Sequence, residues 1–177
     1  MFDTPIDAWY AWLGLSVATL VVFGVVTAFP ATPAPDAAGL AETIDQVATS
    51  DYDTTARHPI TARTVRLGPR RVGLRNDAGT THATLAYPVV PVVGGTPLAR
   101  VLRGAAPSAT FESPQAFARA AETARERPPQ WRPAGEAVVV RRLTWAGVDV
   151  TLVGTVSDGE LPAVDAAVRS QARGERA

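Results

Sequence analysis

The sequence predicts an α+β fold: an N-terminal transmembrane helix followed by an antiparallel sheet with two or three helices packed on one face. Three observations lead there. Residues Ala8 to Phe29 are apolar and carry no charge. The centre of the chain alternates apolar and polar side chains with a period of two, as a half-buried strand does. Segments of helical period lie before and after it, each with its own start and stop residues.

The apolar run AWYAWLGLSVATLVVFGVVTAF reaches across the ~30 Å of a bilayer's hydrocarbon core at ~1.5 Å per residue. Trp9, Tyr10 and Trp12 at its start are amphipathic rings suited to the headgroup level, and Phe29-Pro30 closes its other end. The leader MFDTPID is acidic and the run exceeds a signal peptide's apolar stretch, which favours an uncleaved anchor. Orientation is barely marked. The leader has no Lys or Arg, and the first arginine after the run is Arg57, too distant for flanking charge to count. The predicted layout is therefore a leader at 1–7, a transmembrane helix at 8–29, a Pro/Ala-rich stalk at 30–35, a soluble domain at 36–172 and a polar tail at 173–177. PATPAP in the stalk is extended and semi-stiff, lifting the domain off the bilayer.

Asp36 caps a helix to about Ser50, in which Leu40, Ile44 and Val47 form a narrow apolar stripe while Glu42 and Asp45 point elsewhere. That stripe can pack on the following domain or on a second copy. Thr61–Leu67, Arg70–Arg75 and Thr80–Tyr87 alternate as strands of a meander, with Gly68-Pro69 and Asn76-Asp77-Ala78-Gly79 as turns and Ala83, Leu85 and Tyr87 inward. Pro88 and Pro91 reduce Val89–Val93 to an edge strand at best. Ser113-Pro114 starts a helix to about Arg127, with Phe117, Ala120, Ala121 and Ala124 on its apolar face, stopped by Pro128-Pro129. Ala137–Leu143 and Val148–Val156 read as a hairpin joined through Thr144-Trp145-Ala146-Gly147. A short final helix starts near Leu161-Pro162.

Seventeen basic and seventeen acidic side chains cancel, which argues against nucleic-acid binding through bulk charge. Every basic residue other than the two histidines is arginine, and there is no cysteine, which excludes disulfides, thiolate metal sites and cysteine catalysis. His58, before a proline in a loop, and His82, on the polar face of a strand, form no spaced ligand set. No G-x-S-x-G occurs, and Gly94-Gly95 lacks the further glycines and the lysine of a phosphate loop, so it reads as a turn. Arg70-Arg71 and Arg141-Arg142 could meet phosphate, lipid headgroups or an acidic partner, or form a solvated face. Trp131 and Trp145 could anchor an interface or pack in the core. No catalytic, cofactor or metal residue and no small-molecule ligand is assigned.

The opening MFDTPIDAWYAWLGL, the absence of lysine and the strand pair ending TWAGVDVTLVG resemble a family of uncharacterised single-pass membrane proteins of extremely halophilic archaea. The resemblance implies surface, secretion or pilus-like association and brings no activity. The leader departs from a processed pilin, lacking a basic residue and a glycine before the apolar run.

The expected function is a non-catalytic membrane-anchored protein, an envelope or pilus-like/secretion accessory component with its domain outside the cell membrane. It contacts lipid through the N-terminal helix and binds a protein partner or itself through its sheet or first helix. The alternatives are a membrane-tethered enzyme whose site is assembled from residues distant in sequence, and an inward-facing tethered regulator or scaffold. If Ala8–Phe29 is an uncleaved anchor, the full chain stays in the membrane pellet through an alkaline carbonate wash; release to the supernatant disproves the anchor.

Overall fold

The computed structural model describes Leu13, residues 15–17 and residues 33–157, and the chain divides into two units, Met1–Pro33 and Ala34–Ala177. In the first unit Leu13 and residues 15–17 are helical. Apart from those four residues, the expected span at 8–29 lies outside the described residues, as do the leader, the final helix near Leu161 and the tail. Among the described residues, no helix is long and apolar enough to cross a membrane.

Helix α1 (Ala37–Ala48) starts where Asp36 accepts a hydrogen bond from Gly39 N at 2.8 Å, satisfying an amide the first turn leaves free. Its buried residues, Leu40, Ala41, Ile44 and Val47 among them, recur every three or four positions. The stripe faces this same domain. The strands are β1 (Thr54–Pro59), β2 (Thr64–Leu67), β3 (Arg71–Asn76), β4 (Gly79–Thr84), β5 (Val90–Pro91), β6 (Arg132–Pro133), β7 (Ala137–Trp145) and β8 (Val148–Val156). Two further helices are α2 (Pro97–Leu102) and α3 (Pro114–Glu126). Each has a hydroxyl cap ahead of a proline: Thr96 accepts from Ala99 N, and Ser113 from Ala116 N.

The expected single antiparallel sheet is in fact two. The first has the order β1-β7-β8-β5, the second β4-β3-β2-β6. All pairings are antiparallel except β5 with β8, which is parallel, so the apolar segment broken by Pro88 and Pro91 does form an edge strand, though of a mixed sheet. The helices do not share one face either. Along β7, Ala137, Val139 and Leu143 join α2, α3 and Phe117 in one core cluster, whereas Val138 and Val140 join α1 and the second sheet's Val65, Val72 and Leu74 in another. Strand β8 divides likewise, with Val150, Leu152 and Val156 on the first side and Val153 on the second. The alternation of β8 therefore does not separate core from solvent. The sequence sets Val148, Val150, Leu152 and Val156 against Asp149, Thr151, Val153 and Thr155, yet Thr151 and Val153 are buried because α1 and the second sheet cover that side. Gly154 leaves room for α2: a Cβ there would stand 2.7 Å from Leu102 Cδ2.

Strands β1 and β6 and helix α2 were not anticipated. Strand β1, containing His58, pairs along its whole length with β7; its sequence TTARHP has too few apolar residues for the alternation to register. Helix α2 is too short to display a period. Tyr87, expected inward, is 45% exposed, while Leu85 is buried. Asp45 does not point to solvent: its carboxylate accepts from Ala86 N at 3.1 Å and Tyr87 N at 3.3 Å, tying α1 to the segment after β4.

The β7–β8 hairpin turns through two residues, Ala146 and Gly147, both with positive φ (48° and 80°) between the paired Trp145 and Val148. Alanine is strained there by roughly 1 kcal/mol, whereas asparagine tolerates this conformation. Ala146→Asn should raise the stability of the domain by about 0.5–1 kcal/mol in urea unfolding.

Candidate functional site

The two arginine pairs have different fates. Arg141 and Arg142 are neighbours on β7, so their side chains leave opposite faces of a sheet covered on both sides. Arg141 donates from Nη1 to the carbonyls of Val101 and, at 3.2 Å, Ala105, at and just beyond the C-terminus of α2. Arg142 donates from Nη1 to the carbonyl of Ala48, the last residue of α1, at 2.6 Å. Carbonyls at a helix C-terminus lack intrahelical donors and carry partial negative charge, so a guanidinium satisfies both conditions. Burial pushes Arg141 below arginine's usual pKa, and the charge of Asp53 acts in the opposite sense. This pair is neither a solvated face nor an anion site. The aromatic at the end of the same strand, Trp145, packs its ring 6.0 Å from that of Phe117 and belongs to the core.

Arg71, of the other pair, lies on the second sheet with Arg66 and Arg75. Val65 and Leu67 on β2, Val72 and Leu74 on β3 and Ala83 on β4 turn toward the core, so Thr64, Arg66, Arg71, Gly73, Arg75, Thr80, His82 and Thr84 share the outer face. Arg66 stands opposite Gly73, and Gly73 opposite His82. The indole of Trp131, just before β6, lies against this row. A Cβ on Gly73 would stand 3.0 Å from the indole, and the rings of Trp131 and His82 have centroids 5.9 Å apart. Gly73 is the gap that seats the ring. Arg75 places its guanidinium carbon 4.3 Å from the Trp131 centroid, within cation–π range, and its Nε donates to Thr80 Oγ1 at 3.0 Å. Arg66 and Arg71 are exposed and make no ion pair among the described residues. These strands put no carboxylate on this face; Asp77, in the β3–β4 turn, pairs with Arg63.

The histidines are apart. His58, on β1, shares a 2.9 Å hydrogen bond with Thr43 of α1. Thr43 Oγ1 also lies 3.0 Å from the carbonyl of Gly39, one turn earlier in α1. Among the described residues, no set of three or more His, Asp or Glu side chains is placed to hold a metal ion. Gly94-Gly95 forms the turn into α2, with Gly95 at a φ of 79°. A hollow of about 350 Å³ between α3 and β8 brings Arg119 and Arg125 near Glu122 and Asp149, but Arg125 and Glu122 are already paired at 2.9 Å. The outer face of the second sheet thus gathers exposed arginines and the Trp131 indole on one surface. Sequence reading had Arg71, His82 and Trp131 in hand but not their meeting, which depends on β6 pairing with β2 across more than sixty intervening residues.

An α+β protein with a doubly covered first sheet and a basic face on its second is the class that fold and site define. Over residues 3–143 the chain matches the family of unknown function DUF7283, and it belongs to that family. No curated protein and no solved structure matches it.

Truncating the two sorts of arginine separates them. Arg141→Ala should cost about 1–3 kcal/mol in chemical denaturation, because buried helix-end carbonyls lose their donor. Arg66→Ala should change stability by no more than about 0.5 kcal/mol.

Proposed function

We propose that this protein is a non-catalytic, single-pass membrane-anchored component of the cell envelope, of the pilus-like or secretion accessory kind, whose domain engages a protein partner. The observation that carries the proposal is the charge-free run from Ala8 to Phe29, long enough for a bilayer and contained within the residues matched to the family. The aromatic belt residues Trp9, Tyr10 and Trp12 support the same assignment. A unit with its own core follows almost at once, from Ala34. Because the apolar stripe of α1 is spent inside the domain, partner binding falls to the sheets and loops. Tyr52, 81% exposed between Asp51 and Asp53, and the open edge of β1 are the surfaces available on the first sheet. The short leader and Pro/Ala-rich stalk favour an extracytoplasmic domain, and the envelope of an extremely halophilic archaeon is the setting the sequence resemblance suggests.

Protease treatment of intact cells carrying a C-terminal tag, with a blot for the N-terminal segment, tests this. Digestion of the tag with the segment retained is the expected result. Protection lost only on lysis places the domain in the cytoplasm and replaces the envelope assignment with a tethered regulator or scaffold.

A further inference from the structure

We infer that the outer face of the second sheet docks on an anionic lipid surface, so that the domain lies against the bilayer instead of standing clear of it on its stalk. The inference rests on the membrane-anchored function proposed above and names what its free cationic face contacts.

The geometry is that of a surface, not a pocket. Arg71 and Arg75 are four residues apart on β3, about 13 Å at ~3.3 Å per residue, and Arg66 roots beside them on the next strand, opposite Gly73 between the two. Three arginines so spread can meet several neighbouring phosphates of a headgroup layer. Each presents a planar fork of donors that matches phosphate oxygens. Trp131, seated over Gly73 with Arg75 at 4.3 Å, adds the pairing of amphipathic ring and cation that favours the headgroup level.

The chain enters the domain beside the same sheet. Pro35 is buried, and its carbonyl accepts a 2.7 Å hydrogen bond from Thr81 Oγ1, on the inner side of β4, opposite the face of His82 and Thr84. Residues 30–35 extend to at most about 20 Å. A sheet leashed that closely to a bilayer stays within reach of its headgroups.

Other anionic occupants fit less well. A nucleic-acid-binding chain carries a clear basic excess, and here the net charge is zero. A second copy would have to offer carboxylates, yet in the acidic segment 36–53 three are already committed to backbone amides: Asp36 to Gly39, Asp45 to Ala86 and Tyr87, and Asp53 to Thr144.

The chain has no cysteine, so one can be placed without background. Full-length protein carrying Thr84→Cys, on the proposed docking face, or Thr123→Cys, on α3, is labelled with a fluorophore. It is then reconstituted into nanodiscs of phosphatidylcholine alone or of phosphatidylcholine with phosphatidylglycerol, each containing a headgroup-level quencher lipid. Docking predicts strong quenching at Thr84 in the anionic discs only, and little at Thr123 in either. Surface arginines are worth roughly fivefold each in affinity for an anionic leaflet, so Arg66→Glu with Arg71→Glu should lower the docked-to-free ratio at least about 25-fold. Circular dichroism and the thermal midpoint should be unchanged in that variant, both residues being exposed. Weak quenching at Thr84 in both lipids, or quenching that survives the double reversal, overturns the inference while leaving the anchor intact. Energy transfer between Thr84 labels at two copies per disc, without lipid quenching, assigns the face to self-association and overturns it too. A chain that never enters the discs overturns the anchored function itself, and this inference with it.

Discussion

Coverage of β7 and β8 on both faces is the constraint from which the rest of the domain follows. Their valines and leucines are divided between two core clusters, one on each side of the sheet. Each fully buried Val or Leu contributes about 1.5–3 kcal/mol, so neither half of the core can be lost without exposing the same hairpin. Helices α2 and α3 have to lie on one side, and α1 with the second sheet on the other. Where α2 comes closest, position 154 has to be glycine-sized.

A strand buried on both sides has no place for a charged side chain unless a polar partner is waiting. Arg141 and Arg142 find theirs in the carbonyls ending α2 and α1, one on each side. At α1 the contact works in both directions, since Arg142 supplies a donor to the terminal carbonyl of Ala48; at α2 Arg141 joins Gly104 N on the carbonyl of Val101. The arginines of the outer sheet face have no such obligation. They sit where water would satisfy them, in a row that a Trp, a His and a missing Cβ shape into a surface. The same residue type thus does two unrelated things in one small domain, and only its position in the layers separates them.

Local signals in the sequence were informative wherever the physics is local. The Asp36 and Ser113 caps, the proline after Ser113, the apolar stripe of α1 and the alternation of β3 and β8 all depend on neighbours within four residues, and each element falls close to its expected place. What could not be read is what depends on layering. A strand alternating Val, Asp, Val, Thr looks half solvated whether or not a second sheet comes to cover it. Strand β1 owes its existence to β7, more than seventy residues later, and has little apolar content of its own to announce it. The arginine face was illegible for the same reason: its members come from β2, β3 and β4 and from the residue before β6, and no spacing rule connects Trp131 to Gly73.

Helix α1 touches β1, β3, β4, β7 and β8, and so belongs to neither sheet alone. It is also the first element of its unit, with Pro35 fastened to Thr81 just ahead of it. Tension drawn through the N-terminal side of the chain would therefore be delivered to that fastening and then to the helix that wedges the two sheets together. Peeling it away would bare both sheets in one step. The domain resists such a load as a single block or gives way as one, with no partly opened form in which one sheet stays sealed.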